Sequence, residues 1–136
     1  MNIDQAIQQF LSSPAFGVAG ASSNRAKYGN KVLRVYLQNH KKVFPINPNE
    51  KIIEGVNCVS SVSELPAEVQ SLSIITPPPI TEKIVEQAIA KGIKNIWMQP
   101  GAESPAAVAN CEKNNINVIA DGSCVLVTLH FHEGLT

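Results

Sequence analysis

Apolar residues along the chain fall into short runs separated by longer amphipathic stretches. The short runs have the length and flanking residues of buried strands and occupy residues 16–21, 42–46, 72–76, 93–98 and 116–120. Between them, apolar positions recur every three or four residues, which predicts helices over residues 3–12, 28–40, 81–91 and 105–114. The turn-rich stretch from residue 50 to 70 adds a predicted short strand at 56–59 and a helical turn at 61–64.

Single residues predict where some of these elements begin and end. Thr81 has the position of a helix N-cap, and Gly92 stands where a helix C-terminus favours glycine. Ser61 and Glu64 have the spacing of a capping box. The stretch CVLVTLHFH at residues 124–132 has a period that fits a strand or a helix equally well.

The order of the elements predicts the fold class. Strands that alternate with helices at this spacing form βαβ units around a parallel sheet. We therefore expect an α/β, Rossmann-like, three-layer α/β/α domain with a mainly parallel sheet of about five to six strands. Residues 1–136 form one domain, with an N-terminal helix at 1–14, a core at 15–121 and a C-terminal segment at 122–136. Ligands of such folds bind beyond the carboxyl ends of the strands.

Composition narrows the classes of function. Eleven basic residues balance eleven acidic ones, so the chain lacks the basic surface that general nucleic-acid binding requires. The apolar runs are far shorter than the ~20 residues of a membrane span, and the N-terminus does not have the pattern of an export signal. Three widely spaced cysteines fit reduced thiols better than a disulfide framework. We expect a cytoplasmic protein without a nucleic-acid or membrane partner.

The turn after the first strand has the features of a phosphate site. Gly20 begins it, and a glycine turn before a helix leaves backbone N–H groups free to meet an anion. Ser22 and Ser23 supply hydroxyl donors, while Arg25 and Lys27 supply positive charge. These residues favour phosphate or pyrophosphate binding over an ordinary turn.

The dinucleotide fingerprint is not met at this turn. Counted from Gly20, the second and third glycine positions hold Ser22 and Arg25, and the nearest acid after the second strand, Glu50, lies beyond the turn. No G-x-x-x-x-G-K-[ST] loop is present either. An NAD(P)-dependent oxidoreductase remains an alternative, because Arg25 would be able to meet a 2′-phosphate.

The sequence offers no evident catalytic constellation. His130 and His132 lie in an apolar tail, where solvated or packed histidines are commoner than catalytic ones. Together with Cys124 they match no strong metal-ligand spacing. Asp121 and Cys124 follow the last strand and would face a cleft at the sheet edge. Trp97 lies within a strand and is expected in the core.

Longer stretches of the chain resemble a known family. The segment GVAGASSNRAKYGNKVLRVYLQNHKKVFPINP, residues 17–48, resembles the start of the stand-alone CoA-binding domains, which are similar to the N-terminal CoA-binding domain of the succinyl-CoA synthetase α subunit. The resemblance continues through EGV at 54–56, SVSELP at 61–66, AIAKGIKNIWMQPGAES at 88–104 and VIAD at 118–121.

This resemblance implies coenzyme A, or an acyl-CoA, as the ligand. The implied phosphate cradle is Gly20, Ala21, Ser22 and Ser23, with Lys27 neutralising the charge and Tyr28 and Gly29 beginning the helix over the site. The implied remainder of the site comprises Asn47 and Pro48 at the adenosine end, Thr76, Pro77 and Pro78 beside the pantetheine or nucleotide, and Gln99 and Gly101 on the far side.

The resemblance also has limits. Related sequences tend to read D-x-C after the last strand, whereas residues 121–124 read DGSC, one residue longer. The synthetases also carry a phosphorylated histidine and a nucleotide-grasp subunit that 136 residues do not hold. We expect a CoA binder that is not an enzyme on its own. A CoA-binding subunit of a multi-chain acyl-CoA ligase is a further alternative, and association with a second copy or with a partner protein stays open.

Overall fold

The computed structural model describes residues 1–134, and its centre is a parallel sheet. Residues 1–134 contain seven strands: β1 (Ala15–Ala19), β2 (Val43–Ile46), β3 (Ile52–Ile53), β4 (Val56–Asn57), β5 (Val69–Ile74), β6 (Asn95–Met98) and β7 (Asn117–Ile119). Five of them form one sheet in the order β2-β1-β5-β6-β7, and every neighbouring pair is parallel. β3 and β4 form a separate antiparallel pair.

Helices cover both faces of the sheet. They are α1 (Ile3–Leu11), α2 (Tyr28–Gln38), α3 (Pro78–Lys91), α4 (Pro105–Lys113) and the short α5 (Val125–Thr128). One buried cluster joins Leu72 and Ile74 of the sheet to Val85 of α3 and other residues of α3 and α4. A second cluster joins the opposite face of the sheet to α1, α2 and α5. The predicted three-layer, Rossmann-like fold is confirmed.

Burial on both faces explains the continuous apolar runs of the strands. All five residues of β1 are buried, as expected of a central strand in a parallel sheet covered by helices on each side. Trp97 is fully buried, as predicted, and its ring meets Phe10 edge to face at 5.4 Å between centroids. The Phe16 ring stacks on Tyr36 at 5.0 Å. These aromatic contacts fix α1 and α2 against one face of the sheet.

Helix α3 begins earlier than the sequence indicated. The prediction that Thr81 is its N-cap is wrong, because the helix begins at Pro78 with Pro77 as N-cap. Proline fits the first helical turn, where its missing N–H would have no partner and its φ is already helical. The Thr81 hydroxyl instead lies 2.8 Å from the hydroxyl of Thr76. The prediction for Gly92 is confirmed, since it ends the helix in the left-handed region with φ 87°.

Other local differences have equally local causes. The predicted capping box is wrong, because the Ser61 side chain makes no capping bond and Glu64 instead accepts from the backbone N–H of Ser60 at 2.8 Å. The predicted strand at 56–59 is shortened to β4, with Val59 joined to Ile46 by one isolated bridge. The undecided C-terminal segment contains the helix α5. No helix in residues 1–134 is both long and apolar enough to cross a bilayer.

Candidate functional site

A cleft of about 630 Å³ opens at the carboxyl edge of the sheet. From β1 the chain passes to β2 on one side, whereas β5 leads to β6 and β7 on the other, so the strand order changes direction between β1 and β5. Such a switch point separates neighbouring loops and leaves a crevice. The lining comes from the β1–α2 turn, the end of β2, the stretch at Ser60 and Ser61, the end of β5, and Ile80 and Ile84 of α3.

The N-terminus of α2 faces this cleft. Lys27 is its N-cap, and the Lys27 side chain makes no capping hydrogen bond. Lys27, Tyr28 and Gly29 all line the cleft. The first N–H groups of a helix lack intrahelical acceptors and carry partial positive charge. Together with the ammonium group of Lys27, they give this end of the cleft a positive potential.

Two predicted site glycines allow the helix to approach the turn closely. Gly20 has φ +97°, and a Cβ there would lie 2.1 Å from the backbone oxygen of Ile75. A Cβ on Gly29 would lie 2.0 Å from the backbone oxygen of Gly20. Neither contact is sterically possible, so both positions require glycine. These glycines bring the first turn of α2, the β1–α2 turn and the end of β5 into direct contact.

Arg25 and Ser23 lie outside the cleft lining. The Arg25 guanidinium is 2.5 Å from the Glu54 carboxylate, so this pairing partly satisfies the positive charge that the sequence suggested for phosphate. The backbone N–H of Ser23 donates to Glu50 at 3.1 Å. Glu50 thus returns to the β1–α2 turn, although the sequence placed it beyond the turn after β2. Ala21 and Ser22 remain in the lining.

Asn30 holds the β1–α2 turn and was missed by sequence reasoning. It is fully buried, and its amide nitrogen donates to the Ser22 carbonyl at 2.9 Å and to Glu54 at 3.1 Å. Its amide oxygen accepts from the Arg34 Nε at 2.7 Å. An asparagine and an arginine four residues apart on a helix are neighbours, and that spacing is the signal that would have found the pair.

At the end of β2, Asn47 also acts on the turn. Its Nδ2 donates to the Ala21 carbonyl at 3.0 Å, while its Oδ1 accepts from the backbone N–H groups of Asn49 and Glu50. Pro48 lies beside it in the lining. Asn47 therefore ties the end of β2 to the β1–α2 turn, and Pro48 offers an apolar surface.

Three of the predicted residues that follow β5 and β6 line a second, smaller pocket: Thr76, Pro77 and Gly101. This pocket, about 330 Å³, shares Ile75 and Thr76 with the main cleft. Pro77 and Gly101 line it as well. Pro78 begins α3 and lines neither pocket. The two pockets are adjacent and meet at the end of β5.

Gln99 is buried beneath the cleft instead of lining it. Its Oε1 accepts from the Tyr28 hydroxyl at 3.0 Å and from the backbone N–H of Val125 at 2.9 Å. The Tyr28 hydroxyl also lies 2.6 Å from Cys124 Sγ. Burial, followed by the contact with Cys124, raises the pKa of Tyr28 far above its usual value, so the phenol keeps its proton. Sequence reasoning did not predict that these three side chains meet.

The loop after β7 places Cys124. Asp121 Oδ1 accepts from the backbone N–H of Ser123 at 3.1 Å and from its hydroxyl at 2.5 Å. Trp97 donates its indole N–H to the Ser123 carbonyl at 3.1 Å. The DGSC stretch, one residue longer than the pattern of the resemblance, is thus fixed to the sheet. Within residues 1–134, no group of three His, Cys, Asp or Glu side chains is placed to hold a metal ion.

Comparisons with known proteins identify the family of this chain and agree with its fold. A family model described as a CoA binding domain matches residues 15–130, and the chain belongs to that family. It is 29% identical over 92 residues to subunit alpha of acetate–CoA ligase (ADP-forming) II from Pyrococcus furiosus, a match that covers 66% of this chain and 20% of that one. The chain spans 11% to 20% of the length of curated relatives of this kind.

Solved structures with the same fold match most of this chain. A conserved hypothetical protein from Pyrococcus furiosus is 38% identical with a TM-score of 0.80, and the match covers 84% of this chain and 97% of that one. A protein from Thermus thermophilus is 26% identical with a TM-score of 0.84, and 96% and 97% of the two chains are covered. The predicted resemblance to stand-alone CoA-binding domains is confirmed.

Proposed function

We propose that this chain binds coenzyme A or an acyl-CoA in the cleft, with the phosphates at the β1–α2 turn. The observation that carries the proposal is the N-terminus of α2, which opens into the cleft without a side-chain cap and beside Lys27. A helix N-terminus next to a lysine is a favourable site for an anion with several charges. Membership of the CoA binding domain family supports the identity of the ligand.

The rest of the ligand would follow the strand ends in both directions from the phosphates. The adenosine would lie against Pro48 at the end of β2, where Asn47 holds the backbone in place. The pantetheine arm would pass Thr76 and Pro77 toward Gly101 and the smaller pocket. Gln99 would support this end of the site from below through Tyr28.

We propose binding, not a reaction, as the activity of the chain on its own. Among the described residues, the cleft lining contains serine, asparagine, threonine, glutamine, lysine and tyrosine side chains, but no carboxylate, imidazole or thiol. Acyl transfer and acyl-phosphate chemistry use groups of those latter kinds as nucleophile or base.

A CoA-binding subunit of a larger acyl-CoA ligase is the second candidate. The similarity to subunit alpha of an ADP-forming acetate–CoA ligase favours it, although the chain spans only 20% of that subunit. A partner protein would then supply the remaining catalytic groups. The NAD(P) alternative is less well supported, because it depended on Arg25, whose guanidinium pairs with Glu54.

A ligand panel tests the proposal. Purified protein is titrated calorimetrically, and its thermal midpoint is measured, with CoA, dephospho-CoA, acetyl-CoA, NAD and NADP. A ligand at 100 times its dissociation constant stabilises the native state by about 2.7 kcal/mol, so CoA should raise the midpoint by several degrees. A shift with NADP but not with CoA would contradict the proposal and favour the oxidoreductase alternative.

A further inference from the structure

The contact between Tyr28, Gln99 and Cys124 is here called the thiol cluster. Tyr28 lines the cleft, and its hydroxyl lies 2.6 Å from Cys124 Sγ. The sulfur is therefore one hydrogen bond away from a residue of the cleft wall. Cys124 is partly exposed and is not in a disulfide.

The hydrogen bonds of the cluster determine where its protons lie. The backbone N–H of Val125 must donate to Gln99, which orients the Gln99 amide with its oxygen toward Val125 and Tyr28. An amide oxygen only accepts, so the Tyr28 proton points at Gln99 and the Cys124 S–H donates to the Tyr28 oxygen. When Cys124 loses its proton, Tyr28 can turn its own proton to the sulfur and stabilise the thiolate, because the phenol itself remains protonated.

The cluster also contains a hydrogen-bond donor that has no acceptor. Gln99 is fully buried. Among the described residues, its Nε2 is the one buried side-chain nitrogen or oxygen atom that has no hydrogen-bond partner. A buried donor left unpaired costs about 1–3 kcal/mol, and most buried polar groups pair with protein or with an ordered water. The orientation imposed by Val125 prevents the amide from flipping to remove the problem. An acceptor brought by a ligand, such as an amide carbonyl or a sulfur atom, would satisfy this nitrogen.

The two other cysteines lack this environment. Burial raises the pKa of the Cys111 thiol to about 11, and burial with the nearby Glu50 raises the pKa of Cys58. Neither has a phenol hydroxyl among its described hydrogen-bond partners. Since the thiolate is the reactive form, both are poorer nucleophiles at neutral pH than an ordinary cysteine.

We propose that Cys124 is a thiol–disulfide exchange site for the thiol end of the ligand in the cleft. The inference depends on the proposed CoA binding. It specifies the ligand class further, since the cleft would accept a disulfide of CoA as well as CoA with a free thiol. The phosphates at α2 and the pantetheine arm along Thr76 would direct the sulfur end of the ligand toward the thiol cluster.

The exchange balances without a further oxidant. The Cys124 proton leaves to solvent, and the thiolate attacks one sulfur of the CoA disulfide. A new S–S bond joins Cys124 to one CoA, the original S–S bond breaks, and the second CoA departs as a thiolate that takes a proton from water. One disulfide is consumed and one is formed. Tyr28 donates its hydrogen bond to the attacking sulfur.

Mass spectrometry of the intact protein tests the inference. Reduced protein is freed of reductant and incubated with CoA disulfide or, separately, with glutathione disulfide, and adduct formation is followed over time. We expect one CoA per chain, faster labelling by CoA disulfide than by glutathione disulfide, and no adduct in Cys124→Ser. Cys58→Ser is the matched control, because Cys58 is also partly exposed, and it should label like the wild type. Tyr28→Phe should label roughly tenfold more slowly or worse, since its thiolate lacks the phenol donor.

The outcomes separate this inference from the proposed function. Binding of reduced CoA by the wild type, measured calorimetrically with reductant present, tests the function alone. If reduced CoA binds and CoA disulfide gives no adduct at Cys124, the inference is overturned and the function stands. Equal labelling rates with the two disulfides would also overturn it, because Cys124 would then be a generally reactive thiol. If reduced CoA does not bind, the proposed function fails, and the inference fails with it.

Discussion

At the scale of single residues, Lys27 carries the most specific expectation about affinity. Among residues 1–134 it is the cation that lines the cleft, and it stands at the N-terminus of α2. Lys27→Ala should weaken CoA binding about 10- to 100-fold, because a hydrogen bond to a charged group contributes about 1.5–3 kcal/mol. Calorimetric titration measures this loss. Lys83→Ala, on the exposed side of α3, is the matched control and should bind like the wild type.

Gly29 carries an expectation about stability. A Cβ at this position would lie 2.0 Å from the Gly20 carbonyl oxygen, so Gly29→Ala must push α2 away from the turn. We expect a loss of about 1–3 kcal/mol in the free energy of unfolding, as for other overpacked sites. Urea unfolding measures it. Gly134→Ala meets no atom within 4 Å and should leave the midpoint unchanged; equal midpoints for all three proteins would refute the packing argument.

Site residues that lie in one continuous stretch of the sequence were predictable, because the pattern that indicates them is local. The glycine and hydroxyl residues after β1 predict a turn before a helix whatever the rest of the chain does, and Gly20, Ala21 and Ser22 do line the cleft. The contact between Tyr28 and Cys124 spans 96 positions and depends on which strand ends become neighbours. The contact of Glu50 with the β1–α2 turn was unpredictable for the same reason, since it depends on where the end of β2 lies.

At the scale of secondary structure, the loop between β7 and α5 should respond to acid. Hydrogen bonds from the Ser123 hydroxyl and backbone hold the pKa of Asp121 below its usual value. A carboxyl whose pKa is lower in the folded state stabilises the protein above its unfolded pKa, about 3.9, and that contribution disappears as the pH falls through the folded pKa. Asp121→Asn should therefore be less stable than the wild type at neutral pH, with a smaller difference near pH 2.

Urea unfolding at several pH values measures this effect. Ser123→Ala removes the hydroxyl that donates to Asp121, so it should lose part of the same pH-dependent stability. The difference in the free energy of unfolding between the wild type and Asp121→Asn should shrink from neutral pH to pH 2. A constant difference would show that the ionised Asp121 carboxylate contributes nothing.

Helix starts show where patterns along the sequence mislead. Thr81 had the residue type and position of an N-cap, yet α3 begins at Pro78. Proline and threonine are both favourable near a helix start, and only the end of β5 decides which of them takes that position. The Thr81 hydroxyl instead forms a hydrogen bond with the hydroxyl of Thr76, which lies in the turn between β5 and α3. The existence and type of the element were predictable, whereas its first residue depended on tertiary structure.

At the scale of the whole molecule, the order of strands makes a site out of scattered residues. Alternating strands and helices predicted a parallel sheet, but the sequence contains nothing that fixes the order β2-β1-β5-β6-β7. That order places the ends of β1, β2 and β5 around one cleft and the end of β7 beside β6. The position of Cys124 near the cleft follows from this order and from the DGSC loop, which Trp97 anchors.

Arg34 links three distant parts of the molecule and carries the last expectation. It is 1% exposed, donates to Asn30 at 2.7 Å and to the Arg25 carbonyl at 2.9 Å, and reaches Glu133 at 3.3 Å. Arg34→Met should lower the free energy of unfolding by about 2–3 kcal/mol, because the buried Asn30 oxygen loses its donor. It should also weaken CoA binding, since Asn30 holds the Ser22 carbonyl of the β1–α2 turn.

The comparison with Glu133 decides which contact of Arg34 matters. The Glu133 side chain is 61% exposed, and exposed ion pairs contribute little to stability because water and salt screen them. Glu133→Gln should thus leave both the urea midpoint and the CoA affinity close to those of the wild type. If Glu133→Gln and Arg34→Met lose the same stability, the ion pair at the C-terminal segment is the important contact. If only Arg34→Met is affected, the buried hydrogen bonds to Asn30 and to the Arg25 carbonyl couple α2 to the β1–α2 turn.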